Sequence, residues 1–103
     1  MKSFSSEDIA SIAQFMDLGE PPTEWKGVDA VWALLERMKS DGAVVLIKID
    51  GQRTKPDDTG QYTVVASGPP LGEKLIRTDA ATIEEALCYV IGSYAEHVWE
   101  VAP

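Results

Sequence analysis

A chain of 103 residues, 45% apolar and 25% charged, has the size and composition of one globular domain and not of a disordered or fibrous chain. Its single cysteine, Cys88, excludes an internal disulfide and a cysteine-cluster metal site. The formal net charge of −8 is unevenly placed. Residues 1–42 hold eight acids and four bases, residues 43–79 five of each, and residues 80–103 four acids with no lysine or arginine. That balance argues against a nucleic-acid partner, because phosphate backbones are held by lysine and arginine that displace counterions. It permits a basic protein partner through complementary fields.

No apolar run approaches the ~20 residues that span a bilayer, so no membrane partner is expected. The stretch "MKSFSSEDIASIAQF" lacks a signal-peptide apolar core and turns acidic by Glu7 and Asp8, so it reads as neither a signal nor a transit peptide. The expected location is the cytoplasm.

The first element is a short helix. Ser5 or Ser6 caps it, Glu7 and Asp8 suit the positive end of its dipole, and Ile9, Ile12, Ala13 and Met16 recur at helical spacing. Gly19 is placed to end it, and Pro21-Pro22 prevent continuation. Phe15 and Leu18 lie off its apolar stripe.

A second helix is predicted from about Glu24 to Lys39, with Thr23 as cap. Val28, Val31, Trp32, Leu35 and Met38 make its inner face. Asp29, Glu36 and Arg37 fall on the outer side, and Asp41-Gly42 stops the helix.

"AVVLIKI" (43–49) reads as a strand, β-branched and sharply bounded. Both of its faces are largely apolar, which a half-solvated antiparallel strand avoids. Either the N-terminal helix or another subunit is therefore expected to cover its second face. "QYTVVAS" (61–67) is the returning strand. Between the two, residues 50–60 read as a hairpin connection, reversed by Pro56 to Gly60, with Arg53 and Lys55 as basic exceptions on an acidic chain. "GPPLG" is a stiff turn. "EKLIRT" (73–78) is a weaker strand whose charges suit an edge.

The last helix opens on the capping-box pattern Thr82-Ile83-Glu84-Glu85. Ile83, Ala86, Leu87, Val90, Ile91, Tyr94 and Val98 carry its stripe, with Glu84, Glu85 and Glu96 off it. The fold class is thus α+β, in the order α-α-β-β-β-α, with a three-stranded antiparallel meander and helices mainly on one face. Residues 1–103 form one domain: an N-terminal helix to residue 20, a core over 24–98 and a tail over 99–103.

The core order α-β-β-β-α is similar to that of the double-stranded-RNA-binding domain. In that family a lysine-rich cluster opens the last helix. Here the matching place reads "DAATIEEA", with no lysine and two glutamates. Nor do Arg53 and Lys55 reproduce the family's loop motif. The resemblance therefore extends to element order alone and transfers no binding residue.

The residues that could carry chemistry do not assemble into a catalytic pattern. His97 is the lone histidine, with no serine or cysteine tied to it by spacing, and reads as a partly buried structural residue. Cys88 sits near Glu84 and Glu85, which raise a thiol pKa, and reads as a packing residue. Asp50, Asp57 and Asp58 do not match a calcium loop. No catalytic residue, metal or cofactor is assigned.

The leading expectation is a small non-enzymatic interaction module, an inhibitor, immunity-type neutraliser or regulatory adaptor. Its acidic surface would comprise Asp29, Glu36, Glu84, Glu85 and Glu96. Trp99 is either an exposed interface anchor or part of a tail folded back on the core. A homodimer is the companion expectation, motivated by the doubly apolar first strand. The alternative is a small-molecule pocket between sheet and helices near Trp32 and Tyr62.

Overall fold

A computed structural model describes residues 3–19, 21–22, 24–53 and 60–101. Helix α1 covers Ser6–Phe15. A 3-10 turn at Asp29–Val31 leads into α2, Trp32–Ser40. Three strands follow: β1 over Val44–Ile49, β2 over Tyr62–Ser67 and β3 over Ile76–Ala80. Helix α3 spans Ile83–Tyr94 and ends in a π-helical turn, Ala95–Trp99. The sheet is an antiparallel meander in the order β1-β2-β3, as the sequence predicts.

Local chemistry accounts for most boundaries. Ser5 caps α1 reciprocally with Asp8: the Asp8 N–H donates to Ser5 Oγ at 3.1 Å and the Ser5 N–H to Asp8 Oδ2 at 2.8 Å. The expected glycine stop at Gly19 comes two residues earlier. Asp17 takes the left-handed conformation (φ 57°), and the Leu18 N–H returns to Ala13 C=O at 2.8 Å. Thr82 caps α3, accepting the Glu85 N–H at 3.2 Å.

The second helix begins later than its apolar spacing suggests. Gly27 is left-handed (φ 74°) and breaks the chain before it. The 3-10 turn at Asp29–Val31 then replaces the expected first turns and buries Val31, and α2 buries Leu34, Leu35 and Met38 while Trp32 turns to solvent. Trp25 lies outside the helix and is buried. The predicted cap Thr23 lies outside the described residues.

Directly paired residues share a face of an antiparallel sheet. Register then places Val45, Ala66 and Ile76, next Ile47, Val64 and Thr78, and next Ile49, Tyr62 and Ala80 on one side. Helix α3 lies on that side against β2 and β3, and α2 touches β1. Val64 and Ala66 are fully buried there, beneath a core that includes Leu87, Val90, Ile91 and Tyr94. Helix α1 packs on α3, and Val44 and Leu46 on the open face of β1 stay exposed. The docking of α1 brings Phe4 over Gly92, where any Cβ would overlap the ring. The N-terminal helix thus does not cover the second face of β1, which settles that half of the sequence alternative.

Candidate functional site

The apolar surface of this chain gathers along β1. Val44, Leu46, Ile47 and Ile49 are 50%, 61%, 41% and 69% exposed, and Trp32 is 53% exposed. Val44 and Leu46 lie on the open face of the sheet, and Ile47 and Ile49 on the helix side, so exposed apolar side chains border the β1 edge on both faces. A groove of about 250 Å³ runs between α2 and β1, lined by Trp32, Leu35, Glu36, Lys39, Val45 and Ile47 among others.

The backbone of β1 is open on the same side. The Asp50 N–H donates to Gln61 C=O at 2.7 Å, so residue 50 faces β2. Successive residues turn their N–H and C=O to alternate sides of a strand. Val44, Leu46 and Lys48 therefore bond to β2, while Val45, Ile47 and Ile49 direct theirs to the free edge. Lys48 is the strand's one charge, and its Nζ lies 3.6 Å from Asp50 Oδ2.

The opposite face of the sheet is charged at its hairpin end. Arg53 folds back onto it, 3.2 Å from Asp79 and 3.6 Å from Asp50, and also donates to Gly60 C=O at 3.2 Å. Arg77 reaches Asp79 at 3.6 Å, and the Thr63 hydroxyl donates to the same carboxylate. The Thr63 hydroxyl most of all, with the Arg53 and Arg77 charges behind it, holds the Asp79 carboxyl below its usual range. Arg53 is thus a tie within the sheet and not a free loop cation. Lys55, like the reversal from Pro56, lies outside the described residues.

The five predicted acidic residues are distributed over the 3-10 turn, α2, α3 and the turn that follows α3. Glu84 and Glu85 stand at the start of α3, and the Glu84 carboxylate accepts the Gly27 N–H at 2.6 Å. Glu96 stands beyond the other end of α3, about 18 Å away along the axis. Glu36 is 3.5 Å from Lys39 and borders the β1 groove, and Asp29 sits on the 3-10 turn. Trp99 takes the folded-back position. It is half-buried, its ring meets Tyr94 edge-on at 5.1 Å, and its Nε1–H donates to Asp41 Oδ2 at 2.7 Å. Asp41 also accepts the Tyr94 hydroxyl at 3.0 Å. Burial first, and then the Asp41 carboxylate, push the Tyr94 hydroxyl far above its ordinary pKa.

A cavity also lies away from Trp32 and Tyr62, where the sequence points to one. It is about 610 Å³ and lies by the starts of α1 and α3, lined by Phe4, Trp25, Cys88, Glu24, Glu84 and Glu85 among others. Trp25 Nε1 is buried there without a hydrogen-bond partner among the described residues. Burial, with Asp8, Glu84 and Glu85 adding, pushes the Cys88 thiol up to about 11, so it is protonated at neutral pH. His97 is exposed, on a groove with Leu71, Lys74 and Leu75, and not half-buried as expected. Among the described residues, no group of three or more His, Cys, Asp or Glu is placed to hold a metal. No helix among them is long and apolar enough to cross a membrane.

A scan against protein-family models found no match to this chain, and searches of curated proteins and of solved structures found none either.

Proposed function

We propose that this chain is a small acidic protein-interaction module, of the inhibitor, immunity or adaptor kind, that docks a polypeptide along β1. The observation that carries the reading is the β1 edge, where N–H and C=O groups with no strand partner among the described residues coincide with four exposed apolar side chains. Strand addition draws affinity from main-chain bonds and specificity from pockets for alternate side chains. The Trp32–Ile47 groove supplies such a pocket.

The test is Ile47→Lys in a tagged chain produced in its native host. The variant should lose the polypeptides that co-purify with the wild type while keeping its circular dichroism and melting temperature. An unchanged set of co-purifying polypeptides refutes docking on β1.

The cavity beside Trp25 favours a second reading, a small-molecule site. Its volume is in the usual range for ligand pockets, and the buried indole N–H there lacks an acceptor among the described residues. A metabolite panel should then raise the melting temperature of the wild type but not of Trp25→Phe. No shift with any compound removes this reading.

A further inference from the structure

We infer that the occupant of the β1 edge is a second copy of this chain, paired antiparallel about Ile47, so that two three-stranded sheets join into one of six strands. The inference rests on the docking reading and names its partner.

Three observations select a second copy. The first is the symmetry of the edge. Its free groups belong to Val45, Ile47 and Ile49, an odd set centred on Ile47. A two-fold axis through the Ile47 pair satisfies all three residues in both copies: Ile47 bonds to Ile47 of the second copy, and Val45 to its Ile49. Because i and j contacts repeat as j and i, a single strand is its own complement.

The second is charge. Two chains of net charge −8 repel almost everywhere, but Val44–Ile49 contains no acid and its lysine is held by Asp50. In the Ile47 register Lys48 lies opposite Leu46 of the second copy and not opposite another lysine. Its aliphatic stem can cover that leucine while the ammonium stays in water. Stacking the two open faces would instead bury the Arg53, Arg77 and Asp79 network, a costly desolvation.

The third is apolar coverage. Val44 and Leu46 flank the edge on one face of the strand and Ile47 and Ile49 on the other, so pairing two copies covers part of the exposed apolar surface of both faces at once. The two Trp32–Ile47 grooves meet on the helix side and extend the contact, and the main-chain bonds add to it.

Sedimentation equilibrium on the full chain, from low to several hundred micromolar, reads the outcome. The wild type should be a dimer. Ile47→Lys should raise the dimer dissociation constant by about 100-fold or more, since it places two like charges at the axis. Val45→Pro should do the same, by removing an edge N–H that β2 does not use. Val65→Lys, on the open face, should leave the dimer intact. In a Cys88→Ala background, Ile47→Cys should oxidise to a crosslinked dimer, because residues paired at about 5.5 Å are within disulfide reach.

A monomeric wild type overturns the inference, as does a dimer that Val65→Lys breaks and Ile47→Lys does not. Crosslinking through Leu46→Cys but not Ile47→Cys overturns the register. The docking reading fails separately: a monomer whose co-purifying polypeptides are lost on Ile47→Lys keeps that reading and rejects only the second copy.

Discussion

The two edges of one sheet are treated in opposite ways. The β3 edge is short, and its open-face side chains, Arg77 and Asp79, are charged and tied to Arg53 and Thr63. Charge on an edge strand discourages foreign strands from adding to it. The β1 edge carries one lysine among five apolar residues, and that lysine is paired with Asp50. The helix side repeats the contrast. Helix α3 seals β2 and β3, while α2 leaves Ile47 and Ile49 uncovered. One side of the molecule is finished and the other is left available.

Four perturbations test that contrast. Leu87→Ala, in the sealed half, should cost about 2–5 kcal/mol by opening a cavity the surroundings cannot close, read as a fall in denaturation midpoint. Asp41→Ala should cost about 2–4 kcal/mol, because it strands the Tyr94 hydroxyl and the Trp99 N–H without their acceptor. Asp41→Asn, which keeps one acceptor oxygen, should recover part of that loss.

The third perturbation is pH. The Asp79 carboxyl is held below its ordinary value of 3.8, so its contribution is present above about pH 4 and is lost as pH falls through the folded value. Acid melts of Asp79→Asn should therefore decline less steeply than those of the wild type. Leu46→Lys makes the smallest change. In dilute solution it should alter unfolding free energy by less than about 0.5 kcal/mol, as an exposed position allows. A large loss would show that β1 is already sealed within one chain.

Local signals carried the element order and the antiparallel meander, because β-branched runs, turn residues and caps act over a few positions. The doubly apolar character of β1 was likewise legible. Trp32 was not. The repeat from Val28 through Met38 fits a single helix, but a 3-10 turn at Asp29–Val31 occupies its first part and the α-helix starts only at Trp32, which spacing alone does not register. The tie of Trp99 to Asp41 joins residues 58 apart, and that of Arg53 to Asp79 is likewise long-range. No periodicity encodes such pairs. The same limit hid the cavity by Trp25, which forms only where the starts of α1 and α3 meet the segment before α2.

Asp41 has a consequence for the order of events during synthesis. Its two donors arrive 53 and 58 residues later, which at ~5–20 residues per second is several seconds of translation. Val64 and Ala66 likewise wait for α3 to be made before anything covers them. A nascent chain ending before residue 83 therefore has its hairpin but no lid, with apolar side chains bare on both sides of β1. Ribosome-stalled chains of increasing length should stay protease-sensitive until α3 and its following turn have emerged, then become resistant in a single step.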